Sequence, residues 1–325
     1  TDHTEISVTA EDALAAVGSV FDGLDEPFAD SSAISTWLVS RETRRHVTVA
    51  LSGDGADEVF GGYRKYQGEL QADRYRRIPH LLRKGLIEPA VRLLPESKTC
   101  RWSERARRLR RFLAHAGKDP AARQAGWMRT MDDGEVAAFA GPMRSYADVD
   151  DLIAQIREGA DTDDPINRML YADQRIGLPG DMLVKVDRMS MAHGLEVRCP
   201  MLDHRVVAAA RAMPGAWKLQ PGRGKAVLRD AFADLLPAEV FERPKRGFEI
   251  PIAQWLTGPL RAMAEAATEP ARLEPVGLTA CELPATWLAD LDARRRDTSE
   301  KLWTLIALQE WSEREAAEGY GRSVG

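Results

Sequence analysis

The residues of this chain best suited to chemistry stand together in Ser52-Gly-Asp-Gly-Ala-Asp-Glu58, directly after the apolar run Val47-Thr-Val-Ala-Leu51, and Gly61-Gly-Tyr63 closes the segment. A buried strand that ends in small and acidic residues puts charge at the carboxyl edge of a sheet, where open α/β folds bind their ligands. Glycine lets a ligand approach the backbone, Ser52 and free N–H groups can donate to phosphate, and the carboxylates of Asp57 and Glu58 suit Mg²⁺. The segment therefore points to a nucleotide site. A plain strand-to-helix turn capped by aspartate would use the same five residues, Gly53 to Asp57, so taken alone the turn leaves both readings open. It is not a calcium loop, lacking the spaced acidic ladder and closing glutamate. Nor is it a Walker loop: G-x-x-x-x-G-K-[ST] is absent, and Gly222-Arg-Gly-Lys225 has the wrong spacing.

The elements that must position this turn change character near residue 66. Before it, patterns alternate: Thr4–Val8 reads as a strand, Ala10–Phe21 as a helix, Ser32–Ser40 as a helix and His46–Leu51 as a strand, which implies a parallel sheet. After it, apolar residues recur at helical spacing, broken by prolines such as Pro79, Pro95, Pro200, Pro214 and Pro237. The expectation is a partial α/β nucleotide-binding layer over 1–66 and a mainly helical part of the same domain over 67–325.

Two later blocks carry further candidates. One is Leu178-Pro-Gly-Asp-Met-Leu-Val-Lys-Val-Asp-Arg188, continuing through Leu195-Glu-Val-Arg-Cys-Pro-Met-Leu-Asp203; the other is Gly224-Lys-Ala-Val-Leu-Arg-Asp230, then Arg243-Pro-Lys-Arg-Gly-Phe-Glu-Ile-Pro251. With the Ser52 turn and Asp25-Glu-Pro-Phe-Ala-Asp-Ser-Ser32, these blocks resemble the synthetase domain of glutamine-dependent asparagine synthetases, in one order from about residue 1 to about residue 260. The stretch beyond carries no motif.

That resemblance implies an α/β fold: the C-terminal part of an adenine-nucleotide alpha-hydrolase-like parallel sheet, followed by a large helical lobe. It implies an ATP-dependent, AMP-forming amide ligase using Mg²⁺, most simply one converting aspartate to asparagine through β-aspartyl-AMP. Ammonia would come from glutamine through a glutaminase domain or subunit. Carried over by position, Ser52, Gly53 and Asp57 match the nucleotide and metal loop, with Glu58 beside Asp57 as a second metal ligand. Asp54 stands where many members have the longer Glu, near the reacting centre. Tyr63 lies over the intermediate, and Lys225 faces the phosphates. Lys185, Asp187 and Arg188 form the K-x-D-R block, and Glu196 and Arg198 the E-x-R block, as structural or substrate-binding residues.

Bland readings stand beside these. Lys185, Asp187 and Arg188 could form a buried ion-pair net that fixes helices, and Glu196 with Arg198 a structural pair. Lys225 at a helix start is disfavoured by the dipole unless an anion is near. His193 and His204 read as packing or capping residues, and Met182, Met189, Met191 and Met201 as core filler. For Arg243, Lys245 and Arg246, a phosphate-facing tail and a solvated loop remain equal.

The departures from the family shape the expectation. Its SGGxDS pyrophosphate loop and its N-terminal cysteine nucleophile have no counterpart here: there is no Ser-Gly-Gly, residue 1 is Thr, and the first cysteine is Cys100. The chain thus reads as the C-terminal part of a longer synthetase, expected to be inactive alone. Another carboxylate acceptor, and a non-catalytic truncated subunit, are the alternatives.

Composition narrows the partners. A net charge of −5 gives no reason to expect nucleic acid, and no apolar run approaches the ~18 residues of a membrane span. The basic run Arg101–Arg111 has few aromatics nearby and reads as a solvated helix face or a contact to another domain. Cys100, Cys199 and Cys281 lack zinc-site spacing, which suits a reducing, cytoplasmic setting. A homodimer is left open.

Overall fold

A computed structural model describes residues 3–93, 101–140, 149–242, 250–279 and 281–318. Cys100, Pro95 and the Arg243-Pro-Lys-Arg246 segment lie outside them. The fold is mixed α/β, mostly helical, with a small parallel sheet.

Helix α1 (Ala10–Asp22) begins where Thr9 and Asp12 satisfy each other's backbone N–H groups in a capping box. It packs through Ala13, Ala16, Val17 and Val20, spaced at three and four residues, into the largest core. Helix α2 (Ser32–Arg44) adds Ile34 and Leu38 to that core. Strand β1 (Val49–Leu51) follows, shorter than the expected His46–Leu51. The expected strand at Thr4–Val8 is absent: residues 3–9 have no regular structure and are exposed. A strand exists through its ladder, and among the described residues only two strands pair, β1 and β2 (Glu196–Arg198), parallel in the register Val49↔Glu196 and Leu51↔Arg198. The sheet is thus shared between segments on either side of residue 66.

One face of the sheet, with Ala50 and Val197, looks into a cleft. The other face, with Val49, Leu51, Glu196 and Arg198, is exposed, Leu51 by 74 %.

The short helix α3 (Ala56–Phe60) springs from the turn after β1, and α4 (Arg64–Arg76) follows. Helices α5 (Arg101–Ala116) and α6 (Pro120–Met128) stand against α4. Helix α6 is started by Asp119, whose side chain accepts from the N–H of Ala121 and Ala122, with Pro120 in its first turn. A buried ion pair of Arg123 with Glu69 ties α6 to α4. Beyond α7 (Val149–Glu158), α8 (Pro165–Arg175) is capped in the same way by Asp164. Helix α8 packs on α3, and Gln174 donates to the Glu58 carbonyl at 3.0 Å.

A π-helical turn, Leu178–Leu183, leads into α9 (Val184–Met191), which packs along α2. Helices α10 (His204–Ala212) and α11 (Ala226–Ala231) flank α3. Helix α12 (Ile252–Leu256) and two helices of the stretch past residue 260, which carries no motif, close the main core: α12, α13 (Leu283–Asp292) and α14 (Ser299–Glu318) bring Trp255, Trp287, Leu302 and Trp303 against α1 and α2.

Candidate active site

The carboxyl end of β1 opens into a cleft of about 3430 Å³ lined from both halves of the chain. The Ser52 N–H donates to the Arg198 carbonyl at 2.8 Å, prolonging the ladder by one step and anchoring the turn. Ser52 then donates its hydroxyl to Asp54 Oδ2 and accepts from the Asp54 N–H at 3.3 Å. The shorter arm of Asp54 is thus bound back within the turn, on the cleft wall. Gly55 adopts φ +83° at the start of α3, and a side chain there would collide with Leu202, so two constraints select glycine at this step.

Two linked pairs lie beyond the turn. Lys225 begins α11 in the left-handed region, φ +52°, and its Nζ lies 3.2 Å from Asp57 Oδ1. The anion that a lysine at a helix start requires is Asp57. Gly62 is the space the pair occupies: a Cβ there would strike both Asp57 Oδ1 and Lys225 Cε. Tyr63 donates its hydroxyl to Glu58 Oε1 at 2.6 Å. Glu58 is only 2 % exposed and its Oε2 has no hydrogen-bond partner. Burial above all raises the Glu58 carboxyl; the Tyr63 hydrogen bond opposes this, and the charges of Asp57 and Asp173 add to it. Tyr63 is itself pushed up, by burial first and then by Glu58.

The third pair comes from the Asp25–Ser32 segment and α9. Lys185, 7 % exposed, donates to Asp30 Oδ2 at 2.6 Å and to Ser32 Oγ at 2.9 Å. Asp30 also accepts from the N–H and hydroxyl of Ser32. Burial would raise Asp30, but the Lys185 ammonium outweighs it and holds the carboxyl low. One turn before Lys185, Asp181 lines the same cleft with a buried Oδ1 that has no partner. Burial, then the neighbouring Asp30 charge, pushes Asp181 up to about 6.

The expected candidates therefore divide. Ser52, Gly53, Asp54, Asp57, Glu58, Tyr63 and Lys185 line the cleft, and Lys225 reaches it through Asp57. Asp187 is exposed on the outer side of α9, and Arg188 pairs with Asp25 at the surface. Lys185, Asp187 and Arg188 thus form no common buried net: successive helix positions point different ways, and only Lys185 turns inward. Glu196 and Arg198 pair with each other at 2.7 Å on the exposed face of the sheet, away from the cleft, as alternation along a strand requires. His193 packs edge-on against Trp37, and His204 is exposed at the start of α10. Of the methionines, Met189 is buried in the main core and Met201 packs beside Phe60, but Met191 is exposed and Met182 lines the cleft against Lys185.

Asp30 and Asp181 are the site residues that sequence reasoning passed over. Asp181 stands four positions before Lys185, one helical turn away on the same face, and that spacing was a usable signal. Among the described residues no group of three or more His, Cys, Asp or Glu is placed to hold a metal by itself. Nor is any helix there long and apolar enough to cross a membrane.

Comparison with known proteins identifies the chain's family. Residues 1–313 match the asparagine synthase family. The chain is 32 % identical over 291 residues to asparagine synthetase [glutamine-hydrolyzing] 1 of Bacillus subtilis, covering 88 % of this chain and 44 % of that protein. It is also 32 % identical over 313 residues to a putative asparagine synthetase [glutamine-hydrolyzing] of Mycobacterium tuberculosis, covering 95 % and 46 %. A putative asparagine synthetase of Methanocaldococcus jannaschii is 51 % identical over a shorter stretch of 59 residues, 18 % of this chain and 12 % of that protein. The chain belongs to the asparagine synthase family. It spans about half the length of these longer-matching relatives.

Proposed function

We propose that this chain is the synthetase part of an ATP-dependent, AMP-forming amide ligase, most simply one that makes asparagine from aspartate. The observation that carries the reading is the convergence in one cleft of a hydroxyl-and-glycine turn, the Lys225–Asp57 pair, the Tyr63–Glu58 pair and Lys185 with Asp30. Amide formation from a carboxylate needs a leaving group. An acceptor oxygen attacks the α-phosphorus of ATP and the bond to pyrophosphate breaks; ammonia then displaces AMP.

Charge builds on the departing pyrophosphate, and cations must meet it. Lys225 is placed for that, while Ser52 and the open backbone at Gly53, which no other group crowds, suit a phosphate. Asp57 and Glu58 would hold Mg²⁺. Two carboxylates completed by substrate phosphates are an ordinary Mg²⁺ donor set, and the unsatisfied Oε2 of Glu58 fits one ligand position. When bound, the ion would neutralise phosphate charge.

Tyr63 would cover the intermediate, Asp54 would stand beside the reacting carbon, and Lys185 would fix Asp30 and the carboxylate end of the site. Asp181, held near 6, is ionised at neutral pH with a basicity suited to taking a proton from the incoming amine.

The coarse architecture supports a larger adenine-nucleotide alpha-hydrolase-like sheet: β1 and β2 are parallel, and their second face exposes Val49 and Leu51, as if another layer covers it. On this reading residues 1–66 are a partial nucleotide layer and 67–325 its helical lobe, with glutaminase activity residing in further chain or a partner. The relatives' names, which specify glutamine hydrolysis, support an ammonia source of that kind. The test is aspartate-dependent release of AMP and pyrophosphate from ATP by the intact protein supplied with ammonium. AMP release that ignores every carboxylate acceptor offered would overturn the proposal.

A further inference from the structure

The wall of the cleft formed by α4, α5 and α6 has a character that the proposed chemistry does not use. Arg64, Arg111 and Lys118 line it, all exposed, and Arg110 and Arg129 stand beside them. Arg129 is committed to Asp133 and Asp150, and Arg110 to the Val91 carbonyl among its partners. Arg111 donates to the Trp127 carbonyl at 3.2 Å, and among the described residues neither it, Arg64 nor Lys118 meets a carboxylate. The basic run seen in the sequence therefore ends inside the cleft.

This wall is built to hold its shape. His115 sits against Gly126 so closely that any side chain at 126 would strike its ring, and a Cβ on Gly68 would crowd Trp127 at 3.1 Å, closer than an ordinary van der Waals contact. The Arg123–Glu69 pair locks the same helices beneath. Burial and then the charges of Lys118, Arg111 and Arg129 hold His115 down to about 4, as expected where three cations surround one ring.

Other lysines of the cleft differ: Lys65, next to Arg64 on α4, and Lys185 are matched by Asp173 at 2.8 Å and Asp30 at 2.6 Å, and Lys225, which reaches the cleft through Asp57, lies 3.2 Å from it. The cleft also exceeds the few hundred to roughly 1,000 Å³ typical of small-ligand pockets.

We infer that the α4–α5–α6 wall is an anion-binding subsite for the acceptor: the carboxylate that is activated belongs to an acidic, peptide-like molecule whose further carboxylates rest on Arg64, Arg111 and Lys118. This deepens the ligase reading and rests on it. A nucleic acid fits less well: its long run of phosphates would extend past the three cations onto a lining that includes Asp30, Asp54, Asp57, Glu58, Asp173 and Asp181, whereas a short acidic chain can end at the wall.

The experiment is fluorescence anisotropy of a labelled pentaglutamate peptide with the full chain at low and moderate salt. Binding that weakens with salt is expected, with about tenfold lower affinity in the R111A/K118A double variant at low salt and no change in K84A, a surface lysine outside the cleft. Thermal melting checks that the double variant folds; R64A, read in the same way, provides a second variant. No binding by the wild type, equal affinity in the double variant and R64A, or tighter displacement by an RNA oligomer than by unlabelled pentaglutamate would overturn the subsite. AMP release by the intact protein is measured in parallel. Peptide binding without any acceptor-dependent AMP release would uphold the wall and defeat the ligase reading, whereas aspartate-dependent AMP release without peptide binding would do the reverse.

Discussion

The turn from Ser52 to Tyr63 and the block from Lys185 to Arg198 carry equally dense runs of charged and polar residues, yet they meet the cleft very differently. In the turn, the hydroxyl, the carboxylates and the phenol all face it. In the later block Lys185 alone among the predicted residues does so; Asp187 faces solvent, Arg188 reaches back to Asp25, and Glu196 pairs with Arg198 outside the sheet. A tight turn with Gly55 and Gly61 at φ +83° and +74° can wrap several side chains around one point. A helix and a strand distribute successive side chains over different faces, so a motif written on them sends only some members inward. Residue type alone does not separate the two groups; backbone geometry does.

If that contrast is functional, the largest effect belongs to the turn. Asp57→Ala should lower AMP release by the intact protein by 10²-fold or more, since lost contacts to transition-state charge are worth several kcal/mol. His193→Ala, which removes only the edge contact with Trp37, should leave the rate within about threefold. Equal losses in the two variants would remove the basis for placing the site at the turn.

Lys185 tests the one inward member of the later block. Lys185→Met leaves Asp30 with its charge uncompensated in a largely buried position, and a loss of about 3–4 kcal/mol in unfolding free energy is expected at pH 8. Denaturant melts would show it as a lowered midpoint. A loss under 1 kcal/mol would mean that the pair is no more than a surface contact.

Much of this was legible in the sequence. The turn and helices α1 and α2 follow from spacing and residue type, whereas Lys185 was marked only by the family resemblance, which did not separate it from Asp187 and Arg188. The strand at Thr4–Val8 did not form, because alternation marks a chain fit for a ladder and cannot supply the neighbour. The pairing of Asp25 and Asp30 with Arg188 and Lys185 joins residues more than 150 positions apart, and nothing local announces it. The basic run looked like a solvated face because its cleft is made by α4 and α6 as well as α5.

Asp181 sharpens the contrast through pH. Its carboxyl is raised to about 6 in the folded chain against 3.8 for an unperturbed group, so between these values the folded state holds a proton that the unfolded state has lost. The stabilisation from that proton is complete below about 4 and disappears as pH rises through 6. Asp181→Asn removes the cost of ionising the buried group, and should stabilise the chain by about 3 kcal/mol at pH 8 and by almost nothing at pH 4, while slowing the amide-forming step. A stability gain independent of pH would show that Asp181 is not the group that titrates.

The smallest effects should come from the outward residues. Glu196 and Arg198 are exposed and bonded to each other across a single intervening residue, a geometry in which solvent screens the attraction. Glu196→Ala and Arg198→Ala should each change stability by no more than about 0.5 kcal/mol in the isolated chain. The informative measurement is the same pair of variants in the intact protein. If another layer covers the exposed face of β1 and β2, the two charges become buried there, and each single variant should then cost several times more than in the chain alone, with the double variant costing less than the sum. Identical small effects in both settings would mean that this face stays in water and that the sheet does not extend into a larger layer.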